Sequence, residues 1–453
     1  MERMKEQYNL TVREAALAIR EGKLSSLQLV QSCLERIDAV EEKIQAWALV
    51  DREGALAAAT RLDRELSQGQ RRGWLHGIPL GVKDIFYTAG LRTEAGSASW
   101  SGFVPSYDAA TITRLKEAGA IILGKTRTTE FAYLDPAPTR NPWNTAHTPG
   151  GSSSGSGAAV AAGMCLAALG SQTLGSTLRP AAYNGIVGFK AQNSRISTYG
   201  VVPFSWTLDH IGILARNVED TAIVFQNLAG YDARDLCSLA EPIPDCTGNL
   251  ENQKAPRLGL LRSFFFDHAD EEMRHHTEVA VARLQQAGAK VEEVPLPDNF
   301  SKANDIAIII MAVEAAVYHQ EMFASHKDQY GPAIRKLIEK GLSTPATEYG
   351  RALRARLQLR ADIEPLLGGI DALVTPGTTG AAPLGLASTG SPVMQGPWSV
   401  TGLPAISLPI GLGQAGLPLA IQLVGPPRDE CALLAVARWC ERVLDVHLRP
   451  ALN

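Results

Sequence analysis

Hydrophobic positions recur along this chain with two periods. Leu27, Val30, Leu34 and Ile37 fall at helical spacing behind Ser25 and Gln28, and Thr11 with Glu14 repeats the same reciprocal cap ahead of an earlier helix. Other apolar positions come in short runs bounded by turn residues, which predict buried strands. The stretch IPLGVKDIF (78–86) is one, and 108–126 reads as a helix, a glycine turn and the strand Ala120–Leu123. Residues 136–157 are loop, AAVAAGMCLAAL (158–169) predicts a buried helix, and GSQTLGSTLRP (170–180) predicts another small-residue loop. Further on, Leu258, Leu260 and Leu261 are strand-like, a helix over 275–289 leads into the strand Lys290–Val294, and helices are expected at 305–322 and 347–365. DALVTP (371–376) is a buried strand, and two apolar runs around Gly411–Gly416 predict a hairpin. Residues 320–350 mix charges with three glycines and two prolines, which predicts a surface loop or short helix and a candidate lid. Helices alternating with strands, with no tandem repeat and no linker, give an α/β chain read as one domain over 1–453 with a mostly helical insertion near 265–365.

Composition narrows the function classes. The chain is 45% hydrophobic and 20% charged, with net charge −4 over 453 residues. Without a long Lys/Arg run, binding driven by phosphate neutralisation is not expected, so no nucleic-acid partner is predicted. No apolar stretch reaches the roughly 20 residues that span a bilayer, and the N-terminus lacks a signal-peptide core. Six cysteines without a C-x-x-C pair suggest a reduced, cytoplasmic protein.

The chemistry gathers around GGSSSGSG (150–157). Gly150 and Gly155 have phosphate-loop spacing, but Ser156 and Gly157 stand where Lys and Ser/Thr are required. Gly151–Gly155 matches G-x-S-x-G, yet the prolines and turn residues upstream exclude the strand that a nucleophile elbow must follow. A tether would not run directly into an apolar helix. A second serine, Ser176, follows Ser152 by 24 residues, and Lys83 sits in the otherwise apolar strand expected at 78–86. A buried lysine loses its proton more readily and can activate a serine hydroxyl; the alternative is a strand-end lysine paired with Asp84.

Read together, LHGIPLGVKDIF, AGAIILGKTRTTEFAY, NPWNTAHTPGGSSSGSGAAVAAG, GSQTLGSTLRPAAYNGIVGFK and TGLPAISLPIG stand in the order of the amidase signature family, which the chain resembles over nearly its whole length. The resemblance implies a large mixed, twisted sheet covered by helices on both faces, with the signature core at about 69–215. It implies a Ser–cis-Ser–Lys triad of Ser176 (nucleophile), Ser152 (bridging serine on a cis peptide) and Lys83 (base). The oxyanion hole would be the backbone N–H groups of Thr173, Leu174, Gly175 and Ser176. No metal or cofactor is required. The family loop commonly reads D-T-G-G-S-I-R-x-P, whereas here Gln172, Leu174 and Leu178 replace Asp, Gly and Arg, and the arginine moves to Arg179. These departures lead us to expect a hydrolase of neutral, fairly hydrophobic amides, anilides or carbamates, with side esterase activity. Its substrate would be a small molecule, it would touch neither nucleic acid nor membrane, and a homodimer is allowed. The substrate-binding residues would be Phe131, Tyr133, Gly150, Gly151, Leu174, Leu178, Ile309, Ile310, Val313 and Trp398. The alternative is a glutamine-dependent amidotransferase subunit that needs partner chains.

Overall fold

Eleven strands join in one mixed sheet in the computed structural model, which describes residues 6–248, 250, 251 and 254–452. The strands are β1 (Trp47–Val50), β2 (Pro79–Lys83), β3 (Ile121–Thr126), β4 (Ala167–Gln172), β5 (Val187–Lys190) and β6 (His210–Ala215). β7 (Arg257–Leu260), β8 (Lys290–Glu293), β9 (Ala372–Pro376), β10 (Ala405–Leu412) and β11 (Pro418–Val424) complete it. Their order is β1-β3-β2-β4-β6-β5-β10-β11-β9-β7-β8. β3, β2 and β4 run parallel, and β4–β6–β5–β10–β11–β9 are antiparallel in succession.

The helices are α1 (Val12–Arg20), α2 (Ser26–Ile44), α3 (Arg52–Ser67), α4 (Ala110–Glu117), α5 (Ser154–Ala161), α6 (Leu178–Asn184) and α7 (Val218–Leu228). α8 (Phe265–His268), α9 (Glu271–Gln286), α10 (Ala303–His326), α11 (Pro332–Ser343), α12 (Ala346–Ile363), α13 (Gly396–Thr401) and α14 (Glu430–Leu444) follow. Both expected N-terminal caps form, with Thr11–Glu14 opening α1 and Ser25–Gln28 opening α2. The expected hairpin is β10–β11, in register from Ala405 opposite Val424 to Leu412 opposite Pro418.

Four expectations are corrected. The alanine-rich run 158–169 is not one helix: α5 stops at Ala161, Gly163 turns the chain at φ 76°, and β4 begins at Ala167. Alanine fits either element, and pairing with β2 and β6 on both sides decides for strand. Residues 320–350 are mostly helix rather than loop. α11 buries Ile334, Leu337, Ile338 and Gly341, and its first turn is held by Glu130 and Asp135, which accept from the N–H groups of Gly331, Ala333 and Ile334. The apolar helix at 305–322 is longer than expected. With its flanking turns it spans Phe300–Gln329, and an 18-residue stretch within it reaches mean hydropathy 1.4, enough in length and composition to cross a membrane; 56% of that stretch is buried, and the helix packs against α11 and α12. Finally, the cysteines are not all free: Cys246 and Cys431, separated by 185 positions, form a disulfide that ties the 232–250 segment to the start of α14.

Candidate active site

The parallel strands β2 and β4 set Lys83 beside Ser171, with Val82 opposite Leu169 in the register. Lys83 is fully buried, and its Nζ donates to Ser152 Oγ at 2.7 Å and to Ser171 Oγ at 2.8 Å. Burial lowers its pKa to about 7, partly offset by the negative charge of Asp209. The alternative partnership of Lys83 with Asp84 does not form. Asp84 lies 4.0 Å from the equally buried Lys125 and accepts from the N–H of Glu94.

Ser152 sits in the loop before α5, and the Gly151–Ser152 peptide is cis. The small residues around it have separate reasons. Gly150 adopts φ 81°, and a Cβ on Gly155 would lie 2.1 Å from Ala46 O. Ser176 lies between β4 and α6, and the two serine loops are joined where the Ser153 N–H donates to Ser176 O at 3.1 Å. Ser176 retains 9% exposure, which leaves its hydroxyl at the edge of the buried region.

Gln172 explains how this loop works without the family's acidic residue. Its Oε1 accepts from the N–H groups of Thr177 and Leu178, both at 3.0 Å, at the start of α6. Its Nε2 donates to Ser399 Oγ at 3.1 Å, and Ser399 in turn donates to Leu174 O at 2.8 Å. A carboxylate could accept the two N–H groups but could not make the donation to Ser399. The displaced Arg179 is buried, with Nη2 donating to Gly151 O at 2.8 Å and Thr389 Oγ1 at 3.1 Å; burial lowers its pKa to about 10.

The residues expected to line the substrate site divide by burial. Tyr133, Leu174, Ile309 and Val313 are half-buried, and Tyr133 stacks on Phe204 with ring centroids 5.3 Å apart. Gly150, Gly151, Phe131, Leu178, Ile310 and Trp398 are buried. Phe131 is enclosed by Trp100, His319 and Tyr330, and Trp398 stacks on Phe265 at an interplanar angle of 3°. Beside the Lys83–Ser171 contact lies a cavity of about 50 Å³ walled by Ser171, Ala132, Val201, Phe204, Trp206 and Asp209. Ser171 and Asp209 give it polar character, with Thr198 and His210 also on its wall, and neither Ser171 nor Asp209 carried a signal in the sequence. Among the described residues no group of three His, Cys, Asp or Glu side chains could hold a metal ion.

A buried lysine joined to a serine, beside a second serine loop, is an arrangement that can serve serine-type acyl transfer. Residues 28–434 match the Amidase family, and the chain belongs to it. A glutamyl-tRNA(Gln) amidotransferase subunit of Chloroflexus aggregans is 36% identical, covering 98% of this chain and 99% of its own length. Among solved structures, the peptide amidase of Stenotrophomonas maltophilia superposes with TM-score 0.86 at 30% identity, covering 98% of both chains. A protein from a vestigial complex that reveals the origins of an s-triazine catabolic enzyme gives 0.90 at 29%, covering 98% of this chain and 100% of that one. The full-length similarity to amidotransferase subunits overturns the expectation of a free-standing hydrolase of hydrophobic amides or carbamates. It equally overturns the expectation of a small-molecule substrate alone, with no nucleic acid.

Proposed function

We propose that this chain is the amide-hydrolysing subunit of a glutamine-dependent tRNA amidotransferase and works with partner chains. The observation that carries the reading is the 36% identity to the glutamyl-tRNA(Gln) amidotransferase chain of Chloroflexus aggregans over essentially the whole of both proteins. The loop departures do not oppose it, because Gln172 meets the two N–H groups at the start of α6 that an acidic residue would meet.

The chemistry is two-step acyl transfer. Neutral Lys83 takes the proton of Ser152 as Ser152 takes that of Ser176, and Ser176 Oγ attacks the carboxamide carbon of glutamine. The N–H groups of Thr173, Leu174, Gly175 and Ser176 hold the oxyanion, each such donor being worth about 10²–10³ in rate. Collapse of the tetrahedral intermediate breaks the C–N bond while Ser152 returns a proton to the departing ammonia. Water then attacks the acyl-enzyme by the same relay and releases glutamate.

The test is glutamine hydrolysis by the chain purified with the partners it retains, together with amidation of glutamyl-tRNA using glutamine or ammonium chloride as nitrogen donor. Ser176→Ala should abolish the glutamine-driven reactions, by at least about 10³-fold, and spare the ammonium-driven one. Glutamine left untouched by the partnered chain, with unrelated amides cleaved by the chain alone, would overturn the proposal.

A further inference from the structure

Glu314 is a carboxylate in the middle of the long, apolar helix α10, and it is fully buried. A charge in that position is tolerated only when its oxygens are fully hydrogen-bonded. Oε2 accepts from Ser205 Oγ at 2.5 Å and from the Thr207 N–H at 3.1 Å. Oε1 accepts from Tyr349 OH at 2.8 Å and from the Thr207 hydroxyl. One side of this cluster is therefore α12, and the other is the 204–209 turn.

The same turn holds a second carboxylate. Asp209 Oδ2 accepts from the N–H groups of Phe204 and Ser205 at 2.8 and 3.0 Å, and its own N–H closes the turn on Ser205 O at 2.7 Å. Its other oxygen, Oδ1, accepts from Thr173 Oγ1 at 2.6 Å. In the mechanism proposed above, Thr173 is the first of the four residues whose N–H groups face the developing oxyanion. A continuous path thus runs from Tyr349 through Glu314, Ser205 and Asp209 to Thr173, linking the helical insertion to the oxyanion loop.

We infer that Glu314 and Asp209 are positioning residues that set the oxyanion loop from the α10–α12 block. The inference rests on the acyl-transfer chemistry proposed above and is indifferent to which amide is cleaved. An oxyanion hole demands this support because displacement of about 1 Å can cost about 10²-fold in rate. The path gives Thr173 a fixed anchor outside its own loop, while Ser399 fixes the neighbouring Leu174 carbonyl from α13.

The experiment uses the full chain with a p-nitrophenyl ester, a fluorophosphonate probe for Ser176, and hydrogen exchange at the 173–178 amides. Glu314→Gln and Asp209→Asn should lower ester kcat about tenfold with KM within about twofold, slow the labelling of Ser176, and speed exchange at 173–178. Tyr349→Phe removes one donor from a half-exposed position and should fold normally with a loss of about two- to threefold. Combining Glu314→Gln with Thr173→Val should be no slower than the worse single variant, since both cut one path. Multiplying losses in the double variant, or unchanged exchange at 173–178 in variants with lowered melting temperature, would overturn the inference. A wild-type chain that turns over the ester normally but never hydrolyses glutamine would count against the amidotransferase reading alone.

Discussion

The Nζ of Lys83 stands 2.7 Å from Ser152 Oγ with no exposed surface, so the amine proposed as the base sits in a place that disfavours its own charge. Burial brings its pKa to about 7, and only the neutral amine can accept a proton. The rate of acyl transfer should therefore rise with pH through about 7 and level off above it, a profile that Lys83→Met abolishes. Stability carries the same signature. The folded-state pKa lies below the unfolded value, so the unfolded chain binds more protons between pH 7 and 10.5 and stability from this group grows across that window. Lys83→Met should unfold at a higher temperature than the wild type at pH 7, with the gap closing toward pH 10; a constant gap would contradict the depressed pKa.

Ser399 touches both Gln172 and the Leu174 carbonyl. Ser399→Ala leaves an amide N–H and a carbonyl without that partner in a buried place, at a cost of about 1–3 kcal/mol for each group stranded. Urea unfolding should register the loss, and ester kcat should fall with it if, as proposed, the peptide after Leu174 supplies an oxyanion donor. Gln172→Glu, which keeps the two acceptor contacts and removes the donation to Ser399, should retain the fold and lose rate.

Gly341 marks where α11 meets α10. A Cβ there would lie 1.8 Å from Ala312 O and 2.6 Å from Ala316 Cβ. Gly341→Ala should therefore destabilise the chain by about 1–3 kcal/mol through overpacking, although alanine favours a helix by about 1 kcal/mol in isolation. Thermal unfolding decides between the two signs.

The Cys246–Cys431 bridge closes a loop of 185 residues. Digestion under non-reducing conditions should yield one peptide pair carrying both cysteines. Reduction should lower the denaturation midpoint, reflecting a loss of unfolding free energy of as much as about 5 kcal/mol on the chain-entropy argument. Cys246→Ser should lower it equally and be indifferent to reductant.

Much of this protein could be read from the chain by itself. Local rules suffice for the two capping boxes, the β10–β11 hairpin and the strand ending at Lys83, because each depends on residues a few positions apart. The order of the small-residue loops was enough to place the chain in its family. The helical period of Ile334, Leu337, Ile338 and Gly341 was also present in the sequence, but prolines and charges at its borders concealed it. Tertiary structure decided the rest. Alanine-rich 158–169 became helix and strand only because β2 and β6 offered hydrogen bonds to its second half. Lys83 took Ser152 and Ser171 rather than Asp84 because Lys125, on the neighbouring strand, already stands beside that carboxylate. The tie between Thr173 and Asp209 and the bond between Cys246 and Cys431 join positions 36 and 185 residues apart, where spacing carries no information and only the packed sheet brings the groups together.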